Sequence, residues 1–125
     1  MKCLSLKQPF AELLVTGKKT IELRKWRTKF RGEFLIHASR TVDESACREN
    51  GFDPNSMTTG AVIGKAVLYD VKDYKSSGGF LADKEKHLAS KDYLDDRYGF
   101  LIKDAIKFEK PMPMKGQLNF FEVSI

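Results

Sequence analysis

The chain has 125 residues, 42% of them apolar and 31% charged, which excludes extended disorder and fits a single domain over residues 1–125. No apolar run approaches the roughly 20 residues that a bilayer requires, and the N-terminus is charged too early for a secretory signal. We therefore expect a cytoplasmic protein without a membrane partner. The net charge of +5 is concentrated in residues 1–40, where ten Lys or Arg stand against three Glu. This indicates a polyanionic partner, nucleic acid first, with an ordinary solvated surface as the alternative.

The N-terminal part of the chain predicts a strand, a helix and a second strand, in that order. Residues 1–7 alternate between apolar and polar side chains, which is typical of a strand with one buried face. Residues 8–17 predict a short helix, because a proline stands near its start and a glycine at its end. Residues 19–26 predict the next strand, with Glu22 and Arg24 on its polar face.

The rest of the chain predicts four more strands, at residues 32–39, 61–74, 98–108 and 117–125. A helix is expected after Thr41, which forms a capping box with Glu44, and another of uncertain extent within residues 76–97. Two prolines predict a loop over residues 109–116. Six strands and two or three helices do not alternate regularly. We therefore expect a mainly β (α+β) fold, a small β-barrel with peripheral helices, rather than a parallel sheet.

Histidines and cysteines give no pattern of a metal site, so we expect neither a metal nor a cofactor. Cys3 and Cys47 are far apart and are interpreted as free thiols of a reducing compartment. His37 lies inside an apolar strand, which leaves open a hydrogen-bonded structural role and a place in a cleft wall. His87 lies in a charged segment and is interpreted as a surface residue.

The segment TGKKTIELRKWR, residues 16–27, gathers five basic side chains around a single acid. Within it Gly17, Lys19, Glu22 and Arg24 fit the pattern G-x-K-x-x-E-x-R. Three longer stretches surround it in the same order as in a known domain: LSLKQPFAELLVTGKKTIELRKWRTKFRGEFLIHAS, GAVIGKAVLYDV and RYGFLIKDAIKFEKPMPMKGQLNFFEV. Over nearly its whole length the chain resembles the ASCH domain, whose fold is related to the PUA RNA-binding domain.

The resemblance implies a PUA-like barrel with a cleft that binds RNA or a modified nucleotide. Arg24 can hold a phosphate or a base edge with its planar fork, and Lys19 supplies a compact charge. Glu22 can accept from a base amine or orient Arg24. Trp26 is expected either to stack on a base or to pack in the core. With Arg27 and His37, these are the six predicted ligand-binding residues: Lys19, Glu22, Arg24, Trp26, Arg27 and His37.

Strand geometry sets a condition on this predicted site. Lys19 and Glu22 have opposite parity, so they share a face only if the chain turns between Gly17 and Lys19 before the strand begins. We expect that turn, with Ile21 and Leu23 directed into the core.

Catalysis is an alternative function. By resemblance, Lys19 matches the lysine of small amidohydrolases that remove the acetyl group from acetylated cytidine, but Glu22 stands where those enzymes have threonine. A hydrolase acting on a modified nucleoside or RNA would then use Lys19 and Glu22 as its acid–base pair. A protein-interaction module is the third hypothesis, and the oligomeric state is left open.

Overall fold

The structure, a computed structural model, describes residues 1–124. The strands are β1 (Lys2–Gln8), β2 (Ile21–Arg24), β3 (Gly32–Val42), β4 (Ala61–Asp73), β5 (Tyr98–Pro113) and β6 (Phe120–Glu122). The helices are α1 (Phe10–Val15), α2 (Glu44–Glu49), α3 (Ser77–Ala82) and α4 (Lys84–His87). Single 3-10 turns occupy Pro54–Ser56 and Lys91–Tyr93. Among the described residues, no helix combines the length and the apolar character needed to span a membrane.

The six strands form one sheet in the order β2-β5-β4-β3-β1-β6. All neighbours are antiparallel except β1 and β3, which run parallel. The mainly-sheet α+β fold is therefore confirmed, whereas the expected closure into a barrel is not found, because β2 and β6 are the two ends of the sheet. These end strands have four and three residues and are not paired with each other.

Side chains cover the gap that backbone pairing leaves between the sheet's ends. The guanidinium of Arg24 on β2 donates from Nη2 to the backbone oxygen of Ser5 on β1, at 2.9 Å. Trp26 meets Phe100 and Phe120 edge to face, with ring centres 5.2 and 6.0 Å apart. The sheet is thus bridged across its open side by one polar contact and one aromatic group.

The main core lies between helix α1 and the inward face of the curved sheet. Ala11, Leu14 and Val15 of α1 are buried against apolar residues of the sheet such as Phe34 and Phe100. A helix of only six residues is marginal in water, so this packing is what stabilises it. The two cysteines are buried, free thiols, and burial raises the pKa of Cys3 to about 12.

Two local expectations are corrected by how far the strands run. The helix after Thr41 is capped by Asp43, which accepts from the Ala46 N–H at 3.0 Å, because β3 continues to Val42 beside Gln8 and keeps Thr41 within the strand. Likewise β5 includes both prolines that predicted a loop, and it ends at Pro113. Strand β2 pairs with β5 only as far as Leu101, so beyond Leu101 that side of β5 is a free edge. On a free edge, a proline that lacks its N–H breaks no ladder bond.

Gly64 in the middle of β4 offers a test of the packing of α1 on the sheet. A Cβ at this position would overlap the Val15 side chain and the Ile106 backbone oxygen. We expect Gly64→Ala to lower the free energy of unfolding by about 1–3 kcal/mol, the usual cost of overpacking. Chemical denaturation measures it. Gly78→Ala in α3 is the matched control, because the nearest atom to a Cβ there, Ser76 Oγ, would be 3.8 Å away. Since alanine also favours a helix more than glycine does, we expect unchanged or raised stability. Equal effects of the two substitutions would contradict the packing.

Candidate functional site

A cavity of about 930 Å³ is lined by residues of β1 and β2, on the open side of the sheet. Five of the six predicted residues line it: Lys19, Glu22, Arg24, Trp26 and His37. Arg27 lies elsewhere, exposed, with its guanidinium carbon 5.3 Å from the centre of the Tyr98 ring. The ligand-binding roles of all six residues remain predictions at this point.

A turn before β2 brings Lys19 to the same side as Glu22. Gly17 has a φ of +79°, and the Lys19 N–H then donates to the Leu13 oxygen at 2.9 Å. The Lys19 side chain is only 1% exposed, and its Nζ donates to the backbone oxygen of His87. Nζ is also 3.4 Å from Glu22 Oε1. Burial lowers the pKa of Lys19, and the charge of Glu22 opposes that shift.

Glu22 is the shared partner of two cations. Its Oε2 accepts from Arg24 Nε at 3.0 Å and lies 2.9 Å from Arg24 Nη2, while Oε1 faces Lys19. Three of the carboxylate's roughly four acceptor sites are thus occupied within the chain. The Arg24 side chain is 20% exposed, so the cavity reaches its guanidinium more readily than it reaches Lys19.

His37 has both of the roles that the sequence left open. Its Nε2 bonds to the Met114 backbone oxygen at 2.7 Å, and its Nδ1 bonds to Ser5 Oγ at 2.6 Å. Because a carbonyl only accepts, Nε2 carries the proton and Nδ1 accepts from the hydroxyl. Residues 114–119 are thereby held over the cavity. Gly116 is the residue that permits it, since a Cβ there would lie 2.8 Å from His37 Cε1.

The expectation that His87 is a surface residue is wrong. His87 is fully buried, with Nε2 bonding to the Phe80 oxygen at 2.7 Å and Nδ1 accepting from the Ala89 N–H at 3.0 Å. Burial lowers the pKa of His87. Lys84, Glu85 and Lys86 before it are exposed, while the imidazole packs on the Phe80 ring with centres 4.3 Å apart.

Three aromatic side chains line the cavity, Phe10, Trp26 and Tyr93, and sequence reasoning gave no binding role to Tyr93. Trp26 is partly buried and presents part of its surface to the cavity. Tyr93 lines the same cavity, and its hydroxyl donates to Asp43 Oδ2 at 2.6 Å. That hydrogen bond and the edge-to-face contact with Phe10, at 5.4 Å between ring centres, fix the Tyr93 ring. No sequence signal marked Tyr93, because it comes from a turn distant in the chain.

Three exposed cations complete the rim of the cavity: Lys7, Arg40 and Lys115. Within residues 1–124, none of them has a carboxylate oxygen within 4 Å. They come from β1, β3 and the segment after β5, so only folding brings them together. Lys115 was part of the resemblance but received no role from it.

Asp96 is the second carboxylate of the cavity, and sequence reasoning missed it. It also lines an adjoining cavity of about 520 Å³, together with Lys7, Arg24, Trp26 and Tyr93. Burial raises the pKa of the Asp96 carboxyl, the charge of Lys25 opposes the shift, and Glu22 adds to it.

The burial of Lys19 predicts a structural contribution that an exposed lysine lacks. Lys19→Met keeps most of the length of the side chain but leaves the His87 oxygen unpaired and removes one of the two cations that Glu22 contacts. Breaking a buried pair in this way costs about 3–5 kcal/mol of unfolding free energy. Lys18→Met, at the exposed neighbouring position, is the control and is expected to change it by less than about 0.5 kcal/mol. Urea denaturation compares them, and a Lys19→Met protein as stable as the control would contradict the structural role.

Comparisons with known proteins identify the family of this chain. A sequence profile of the ASCH domain matches residues 4–112. Activating signal cointegrator 1 of Homo sapiens is 30% identical over 133 residues, covering 97% of this chain, and the protein from Mus musculus is 28% identical. The chain spans 22% of the length of these relatives. The crystal structure of ASCH from Zymomonas mobilis matches with a TM-score of 0.66 and 21% identity, covering 90% of this chain and 72% of that one. The chain belongs to the ASCH domain family.

Proposed function

We propose that this chain binds single-stranded RNA, or a nucleotide of such a strand, in the cavity between β1 and β2. The observation that carries the proposal is an open cavity whose rim bears three cations without carboxylate partners and whose wall bears aromatic rings. This combination is what single-stranded nucleic acids require, since phosphates need cations and bases need flat apolar faces.

The distribution of charge separates two tasks within the cavity. Lys19, Glu22 and Arg24 together carry a net charge of +1, and Asp96 in the same cavity wall carries −1, so the interior is not strongly cationic. The uncompensated charge lies at the rim, on Lys7, Arg40 and Lys115, where solvated phosphates approach without deep desolvation. The rim therefore supplies attraction that depends on salt, while the interior serves orientation.

Trp26 and Tyr93 supply the stacking surfaces for a base that enters the cavity. The edge contacts of Trp26 and the hydroxyl bond of Tyr93 hold both rings in place before the ligand arrives. A ring that is already ordered loses little conformational entropy on binding. Stacking on such rings contributes about 1–3 kcal/mol per base and tolerates any sequence.

Binding of a short RNA should weaken with salt, with a log–log slope of about −0.7 for each phosphate contacted. Arg40→Ala and Lys115→Ala should each make the slope shallower by about 0.7, because each removes one phosphate contact. Fluorescence anisotropy across a salt series measures this. Lys110→Ala is the control, since Lys110 is exposed on β5 and does not line the cavity. Arg27→Ala tests the role predicted for Arg27 from sequence. The proposal would be contradicted if none of the rim substitutions changed the salt slope of RNA affinity. It would also be contradicted if the wild type did not bind RNA at low salt.

Hydrolysis of a modified nucleoside or RNA is a second candidate, supported by one specific observation. Lys19 has a pKa lowered by burial and lies 3.4 Å from a carboxylate in the wall of the same cavity, the pairing that acid–base catalysis uses. The near-complete burial of Lys19 favours binding over catalysis, because a reacting atom must come within hydrogen-bonding distance of the base.

Glu22→Gln distinguishes binding from catalysis. If Glu22 orients Arg24, the substitution weakens two charge-assisted hydrogen bonds, and we expect RNA affinity to fall by about 1–3 kcal/mol with no turnover in the wild type. Binding and product formation are followed together, with acetylated cytidine and a short RNA as substrates. Turnover by the wild type that disappears in both Lys19→Ala and Glu22→Gln, each shown to be folded by circular dichroism, would make the protein an enzyme.

A further inference from the structure

Asp96 stands where the two cavities meet, between a 3-10 turn and β5. Its backbone N–H donates to the Tyr93 oxygen at 2.9 Å, which fixes the position of the residue relative to the Tyr93 ring. Its side chain lines both cavities and is partly buried. Within residues 1–124, the carboxylate accepts no hydrogen bond and has no cation within 4 Å.

The other carboxylate of the main cavity has little acceptor capacity left. Glu22 is occupied by Lys19 and Arg24, as its contacts show. In the adjoining cavity Asp43 is likewise occupied, by the Tyr93 hydroxyl and the Ala46 N–H. The wall of the main cavity therefore leaves Asp96 as the carboxylate whose oxygens are available to a ligand.

We propose that Asp96 determines which base the cavity accepts, by receiving the two adjacent N–H groups on the edge of a guanine. The inference rests on the proposed RNA function and deepens it. A carboxylate presents two acceptor oxygens side by side, and guanine presents two donors at matching positions, N1–H and the N2 amine. Uracil offers one N–H flanked by two carbonyl oxygens, which a carboxylate repels. Adenine and cytosine each place a ring acceptor beside their amine.

The surroundings of Asp96 favour a ligand that donates N–H groups over a ligand that presents an anionic group. The carboxylate is partly buried, and burial raises the pKa of Asp96, with the charge of Lys25 opposing the shift and the charge of Glu22 adding to it. Two N–H donors from a base would offset the carboxylate's loss of solvation. Trp26 and Tyr93 line the same two cavities, so a base whose edge meets Asp96 would lie beside aromatic rings.

The test uses the full chain and five pentanucleotides: pentauridylate, and the same strand with one central guanosine, inosine, cytidine or adenosine. Inosine lacks the N2 amine and keeps N1–H. We expect the wild type to bind the guanosine strand roughly tenfold more tightly than pentauridylate, within the range of one bidentate base contact, with inosine between them. In Asp96→Asn the preference should fall to less than about twofold, while affinity for pentauridylate is retained, because the amide keeps only one acceptor.

Asp95→Asn is the matched control, since it makes the same change of charge at the exposed neighbour, which lines only the adjoining cavity. It should keep the guanosine preference. Equal loss of preference in the two variants, or tighter binding of a strand with central cytidine or adenosine, would overturn the inference. Salt-dependent binding without base preference would overturn it while leaving the proposed function intact. Absence of binding to every strand would overturn both.

Discussion

Glu22 holds Lys19 with one oxygen and Arg24 with the other, and these two cations bind different parts of the fold. Lys19 continues to the backbone oxygen of His87 at the end of α4, and Arg24 continues to the backbone oxygen of Ser5 on β1. One carboxylate on a four-residue edge strand therefore connects the helical segment before β5 with the far side of the sheet. The network is the polar counterpart of the aromatic cluster around Trp26, and the open side of the sheet depends on both.

Burying three charges is unfavourable unless each finds its partners, because desolvation costs several kcal/mol per ion. The network meets this condition only in the native arrangement. Lys19 needs the carbonyl of His87, and that carbonyl is placed by an imidazole anchored on Phe80 and Ala89. A histidine that seemed to belong to the surface thus supports the site indirectly, by fixing the backbone to which the buried lysine donates.

Much of this arrangement could be predicted from sequence, but only where the cause was local. The turn at Gly17 and the parity of β2 were enough to bring Lys19, Glu22 and Arg24 together, since all lie within eight residues. The cap of α2 was wrongly assigned to Thr41 because the length of β3 depends on its pairing with β1, a contact between segments more than thirty residues apart. The burial of His87 and the positions of Tyr93, Asp96 and Arg40 depend on similar long-range contacts. Barrel closure was expected from the dominance of strands, which do not alternate regularly with helices, and from the resemblance, whereas β2 and β6 remain unpaired with each other at the two ends of the sheet.

On the proposed function, the same long-range assembly explains how a cavity whose interior charges nearly balance would recognise a ligand. Because the buried Glu22 holds the partly exposed Arg24 in place, a ligand entering the cavity would meet a guanidinium that is already oriented. Such a network gives geometry rather than attraction, and attraction must come from charges that folding leaves uncompensated. The structure supplies these at two depths, cations at the rim and one carboxylate inside. A ligand that fits both needs an anionic backbone and a base edge rich in N–H donors, and a neutral or purely anionic molecule satisfies only half of the site.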